Sequence, residues 1–305
     1  GRWALLKLIT GALRVGVSAR LARTAVADLG AVEVDAVEQV WHGLSPPYLA
    51  LFAWLEGRGA RPSAIDPAPF RPAMLAQPLD EADFANLDPR EFSAEWKWDG
   101  VRLQASAGRN AHGHRLLRLY SRTGEEVTPA FPDLADSLGA IAARDFALDG
   151  ELLVLRDGRV QSFATLQQRL NRKTVTAKLV ADYPAHLRAY DLLALDGEDL
   201  RALPFVERRA RLAQFVAQAG SPRLDLSPLV AFADWPSLAA ARADPAGSGA
   251  GADGEAVEGV MLKRRDSVYV AGRPTGPWFK WKRDPFNVDA VLMYAQRGHG
   301  KRSSF

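Results

Sequence analysis

The chain has 305 residues, enough for two domains or one large one, and 48% hydrophobic with 25% charged residues predicts a packed core. It contains no cysteine, which excludes disulfides and thiolate metal sites, and no run of about 18 apolar residues, so no membrane-spanning helix is expected. The net charge of +3 is unevenly spread: residues 1–27 carry +5, residues 259–305 carry +7, and the middle is acidic, which points to a polyanionic partner such as nucleic acid.

Residues 1–58 read as helices. Trp3, Leu5, Leu6, Leu8 and Ile9 begin an amphipathic run that Leu13, Val15, Val17 and Leu21 continue. Gly11 and Gly16 interrupt it, so two helices are expected around the turn Leu13-Arg14-Val15-Gly16. A further helix is predicted over Val34–Trp41, and a short one over Tyr48–Leu55 after the break at Ser45-Pro46-Pro47. Residues 59–69 lie in a stretch rich in Gly, Pro and Arg and read as a linker.

From Phe70 the pattern becomes α+β. Trp96, Trp98 and Val101 suit a strand, and Asp99-Gly100 is a turn signal beside Lys97. A lysine held against aromatic walls near other cations can lose its proton and act as a nucleophile. The alternative is a surface lysine on an edge strand. Strands are expected at Leu103–Ala107, Leu116–Tyr120, Leu152–Leu155 and Leu187–Leu195, with helices at Leu134–Ala143, Phe163–Leu170 and Val206–Ala219. Arg201, Arg208, Arg209 and Arg211 should give the last helix a basic side. Residues 244–255 are Gly- and Ala-rich, with no legible role, and should be mobile. Val257–Lys263 and Trp278–Arg283 are strands, and Val288–Tyr294 starts another.

Four elements each plant a charged residue in or beside an apolar strand. They are Lys97, Glu151 after Asp149-Gly150, Glu258, and the pair Lys280 and Lys282 alternating with Trp278, Phe279 and Trp281. Lys280 and Lys282, two apart, face the same side. Buried charges are costly unless paired or bound to a ligand, so a polar cleft lined by strands is expected. Its inventory suits nucleotidyl transfer. Lys97 can attack an α-phosphate, Glu151 and Glu258 can hold Mg²⁺ or a ribose hydroxyl, and the cations can neutralise phosphate.

Lys97-Trp98-Asp99-Gly100-Val101-Arg102 resembles motif I of the covalent nucleotidyltransferases, which include ATP-dependent DNA ligases, RNA ligases and mRNA capping enzymes. Ser121-Arg122-Thr123-Gly124, Asp149-Gly150-Glu151, Tyr190-Asp191, Glu258–Lys263 and Trp278–Lys282 resemble the later motifs, in family order. The resemblance implies an adenylation domain of antiparallel sheets flanked by helices over residues 70–286. It implies that Lys97 forms lysyl-AMP. Glu95 and Arg102 would contact the nucleotide, Arg102 at the ribose. Arg122 would bind a phosphate, Glu151 the ribose or the metal, and Tyr190 would stack on adenine. Glu258 would hold the metal. Arg273, Lys280 and Lys282 would contact phosphates. ATP and Mg²⁺ are the implied cofactors.

Trp3–Ala25 resembles the end of the helical DNA-binding domain of multidomain DNA ligases, which capping enzymes lack. Arg14, Arg20 and Arg23 are its candidate DNA contacts. The resemblance is therefore strongest to bacterial ATP-dependent DNA ligases acting in repair, with nicked duplex DNA as partner and a cytoplasmic location. The alternatives are an RNA ligase, a GTP-dependent capping enzyme, or a DNA-binding fragment with an inert core. Residues 1–58 would be the end of the DNA-binding domain. Residues 287–305 would begin an OB-fold domain whose closing basic motif is not found, so a longer parent chain is expected.

Overall fold

The computed structural model describes residues 19–41, 44, 46–62, 67–110, 112–170, 172 and 174–283. The expected turn at Arg14 and the strand Val288–Tyr294 lie outside them.

Among the described residues three short helices come first: α1 (Ala19–Leu29), α2 (Val34–Trp41) and α3 (Leu49–Leu55). Ala27, Val37, Val40, Leu51 and Leu55 bury one face of each in a small core of their own. Trp41 stacks on Tyr48 at 5.3 Å, where the chain turns into α3.

The strands follow. They are β1 (Gln77–Pro78), β2 (Phe92–Trp98), β3 (Val101–Arg109), β4 (Arg115–Ser121), β5 (Phe146–Arg156), β6 (Arg159–Val160), β7 (Ala185–Leu195), β8 (Glu198–Asp199), β9 (Leu224–Leu226), β10 (Leu229–Val230), β11 (Val257–Arg264) and β12 (Trp278–Lys282). The first sheet runs β1-β12-β11-β2-β10. The second runs β4-β3-β5-β7-β8, with β6 beside β5 and β9 beside β7. All these pairings are antiparallel except β1 with β12 and β7 with β9. The α+β expectation and its antiparallel sheets therefore hold.

Each sheet packs one face on helices through apolar residues spaced along its strands. In the second sheet, Leu103, Leu148, Leu187 and Ala189 pack on α4 (Pro132–Gly139) and α7 (Phe205–Ala219) through Leu134, Leu138, Leu212 and Phe215. Between these two helices in the chain lie α5 (Phe163–Gln167) and α6 (Ala177–Asp182). In the first sheet, Trp96, Trp98, Val260, Leu262 and Trp281 pack with Leu238 of α8 (Trp235–Ala243). Each fully buried leucine of this kind contributes ~1.5–3 kcal/mol. The other faces of the two sheets meet through an apolar patch of Ala147, Leu193, Ala194, Met74 and Trp278, with the charged residues beside it.

Two expectations fail. The basic side predicted for α7 is not a free cationic surface, because Arg208 and Arg209 are buried and Arg201 and Arg211 pair with Asp199 and Glu198. Arg208 pairs with Asp191, and both are fully buried. Arg209 reaches Glu95 at 3.7 Å and donates to Ser227 O. Nor do residues 246–256 read as a mobile segment. They fold into helical turns, and Asp253 accepts from Val160 N at 2.9 Å and from Arg188 Nη1 at 3.0 Å.

Candidate active site

Asp99-Gly100 carries the chain from β2, in the first sheet, to β3, in the second. Lys97 therefore sits where the two sheets meet. A Cβ on Gly100 would lie 2.6 Å from Leu152 O, so only glycine allows the crossing to pass this close. The crossing is held by Asp99 N donating to Ala256 O at 2.8 Å.

A cavity of about 460 Å³ opens between the sheets. Its walls include Glu95, Lys97, Arg102, Arg122, Glu151, Tyr190, Glu258, Arg273 and Lys280. Nine of the predicted site residues are thus brought together, from strands and connections far apart in sequence. Lys282 is beside them, through its 3.0 Å ion pair with Glu258.

The register explains who meets whom. Lys97, Gly259 and Lys282 form one row across β2, β11 and β12, and Glu95, Met261 and Lys280 form the next. Alternation alone would give Glu258 to the opposite face. A β-bulge between Val257 and Gly259 inserts Glu258 and aims it back at Lys97. Lys97 Nζ donates to Glu258 Oε1. A second bulge does the same for Tyr190: Asp191 pairs with Asp149 and Ala189 with Gly150, leaving Tyr190 between them. Its ring faces the cavity with Lys263 Nζ 4.7 Å from the centroid.

Two of the cavity's acids, Glu151 and Glu258, differ. Burial pushes the Glu151 carboxyl up to about 8, with Asp149 and Glu258 adding to the effect and Lys97 and Arg102 opposing it. Burial also pushes Glu258 up, but hydrogen bonds from Lys97 and Lys282 outweigh it and leave that carboxyl below its ordinary value. At the other rim, burial lowers the Lys280 pKa, and Arg273, Lys282, Lys97 and Arg122 lower it further. Crowded cations of this kind make a seat for a polyanion.

Several site residues are engaged differently from expectation. Arg102 is a frame member: it donates to both oxygens of Asp149 (2.9 and 2.5 Å), to Met74 O (2.6 Å) and to Tyr269 OH (3.0 Å). Little of its fork is left for a ribose. Glu95 is 1% exposed and pairs with Lys263 Nζ at 2.6 Å, while its Oε1 has no hydrogen-bond partner. Arg23 is ion-paired with Glu38 at 3.5 Å within the helical bundle. Arg14 and the side chain of Arg20 lie outside the described residues.

Sequence reasoning passed over Asp149, Lys263 and Tyr269. Asp149 and Lys263 sit inside segments already singled out, and the period of two places Lys263 on the face of Met261. Tyr269 lies in the β11–β12 connection, where no pattern marks it; its hydroxyl donates to Asp149 Oδ2 at 2.8 Å.

Among the described residues, no cluster of three or more His, Cys, Asp or Glu side chains could hold a metal. Glu151 and Glu258 remain as a pair of carboxylates. Mg²⁺ typically takes one or two carboxylates plus phosphates and water, so this donor set fits a metal arriving with a nucleotide. No helix of the described residues is long and apolar enough to cross a membrane.

Comparison with known proteins gives a consistent result. The family model for the ATP dependent DNA ligase domain matches residues 73–282. A probable DNA ligase of Koribacter versatilis is 33% identical over 316 residues, covering 98% of this chain and 53% of that protein. A DNA ligase of Thermococcus onnurineus is 31% identical, covering 98% and 52%. Among solved structures, the ligase domain of M. tuberculosis LigD superposes with a TM-score of 0.51 at 32% identity, covering 72% of this chain and 60% of that one. The chain spans about half the length of the curated relatives it matches.

Proposed function

The chain belongs to the ATP-dependent DNA ligase family, and on that footing we propose that it seals nicks in duplex DNA by passing AMP from ATP through Lys97. What carries this reading is one juxtaposition. Lys97 lies in the same cavity as Glu151 and Glu258 and as the cations Arg122, Arg273 and Lys280, and none of these three cations pairs with a carboxylate among the described residues.

In the free protein Glu258 holds the Lys97 ammonium in the cavity. Lys97 Nζ must give up a proton before it attacks the α-phosphorus. A nitrogen–phosphorus bond then forms, the α–β bridging bond breaks, and pyrophosphate leaves with that electron pair. Arg122, Arg273 and Lys280 would hold the phosphates, with Lys282 beside them, and the Tyr190 ring offers a face for the base. Glu151 and Glu258 would hold Mg²⁺, which supplies charge neutralisation for the triphosphate. The 5′-phosphate of a nick next attacks the lysyl-AMP phosphorus and frees Lys97. Attack by the 3′-hydroxyl on that 5′-phosphate joins the strands and releases AMP. Arg14 and Arg20 remain candidate contacts to the duplex backbone; Arg23 would have to leave Glu38 to join them.

Incubation with α-labelled ATP and Mg²⁺, followed by denaturing electrophoresis, tests the first step. Label is expected on the wild type and absent from Lys97→Ala, and the labelled protein is expected to seal a nicked duplex. Equal labelling of Lys97→Ala would remove Lys97 from its role.

A further inference from the structure

The Gly- and Ala-rich stretch before β11 has no role legible in the sequence, yet it closes directly behind the nucleophile. Asp253 lies at its far end, with a side chain 15% exposed. One oxygen accepts from Val160 N at 2.9 Å, and the other accepts from Arg188 Nη1 at 3.0 Å. Asp225 grips the other edge of the same guanidinium at 2.7–3.1 Å. Clamped between two carboxylates, Arg188 lies over the face of Trp98, 4.3 Å from the ring centre. The edge of that ring is fixed by Trp98 Nε1 donating to Ser227 Oγ at 3.0 Å. Trp98 stands between Lys97 and Asp99 and faces the opposite side of the strand from Lys97. Three residues after Asp253, Ala256 O accepts from Asp99 N. The backbone that carries Lys97 is therefore held on its far side by one short segment, through a stacked cation and a hydrogen bond.

We propose that Asp253 is a positioning residue for the nucleophile: by clamping Arg188 onto Trp98 it fixes the Lys97–Gly100 turn in the orientation from which Lys97 reaches the cavity. The proposal rests on the reading of Lys97 as the group that takes AMP. Asp253 does not line the cavity, so its effect is expected on the rate of the lysine step and not on nucleotide capture. A misplaced reacting group can cost about 100-fold even when the substituted residue is remote from the chemistry.

The test uses Asp253→Asn, which keeps an acceptor for Val160 N but turns a second donor toward Arg188, together with Asp253→Glu. Single-turnover AMP transfer to Lys97 is expected to slow about 10- to 100-fold in Asp253→Asn, with the half-saturating ATP concentration unchanged and partial recovery in Asp253→Glu. A wild-type rate in Asp253→Asn overturns the proposal. So does a parallel fall of rate, ATP affinity and melting temperature in both variants, which would be loss of structure alone. Amide hydrogen exchange decides the same point without catalysis. The amides of Trp98–Val101 are expected to exchange faster in Asp253→Asn while those of β4 do not change; equal exchange at both overturns it. If the wild type takes no AMP, the ligase reading fails, and the exchange experiment still settles the positioning role.

Discussion

Of the three carboxylates that line the cavity, Glu151 and Glu258 are held in opposite states. Glu258 receives hydrogen bonds from two lysines, and Glu151 is half-buried with no dominant cation of its own. Divergent environments for paired acids are a mark of sites that handle charge. The consequence for stability has a definite sign. Glu151 rises from an ordinary value of 4.5 to about 8 on folding, so its stabilising contribution is complete below about 4.5 and is lost as pH rises through about 8. Thermal melts of the nucleotide-free protein in chelator should therefore lose stability from below about pH 5 to above about pH 8 relative to Glu151→Gln. Parallel curves for the two proteins would mean that Glu151 is already ionised. Lys97, Glu151, Glu258 and Tyr190 were legible because each interrupts an apolar strand or sits in a recognisable short motif. The frame role of Arg102 was not: it depends on Asp149, Met74 and Tyr269, contributed by three separated segments.

At the scale of the element, the decisive features are the two bulges. Period-two alternation correctly places Lys280 and Lys282 on one face of β12, and both reach the cavity region. Alternation fails at Glu258 and Tyr190, because an inserted residue resets the face of everything beyond it. Gly259 makes the first bulge possible. Its φ is +149°, and a Cβ there would meet Trp281 O at 2.3 Å. Gly259→Ala should cost ~1–3 kcal/mol or more in denaturant unfolding, and should also slow AMP transfer by moving Glu258. Unchanged unfolding would show that β12 gives way easily at this point. In α7, the arginines look like a solvated stripe when read along the helix alone. In the fold, Arg208 and Arg209 turn inward to Asp191 and Glu95, which no helix-local pattern could announce.

For the whole molecule, two sheets meet through an apolar patch with a charged cavity beside it, and the chain crosses between them just after its nucleophile. That arrangement brings cations from β4–α4, β11–β12 and β12 to one opening. A DNA partner held by such groups and by basic ends should be strongly salt-dependent. Nick binding is expected to fall steeply between low and physiological salt, and combined neutralisation of Arg14 and Arg20 should reduce the logarithmic slope by about one for each phosphate they neutralise. A slope that is unaffected would remove these arginines from the interface.

The sequence by itself determined the longer strands, the sheet-with-helices class, and the candidate reacting lysine with its carboxylates and candidate phosphate-binding cations. Those follow from local alternation and from short motifs, whose information lies within a few consecutive residues. Only the tertiary structure decided which face Glu258 and Tyr190 occupy, that Arg102 is spent on Asp149, and that Asp253 stands behind Trp98. These depend on register, bulges and side-chain pairs separated by tens of residues in the chain. Such pairings arise from the way two sheets pack, which no single stretch of sequence contains.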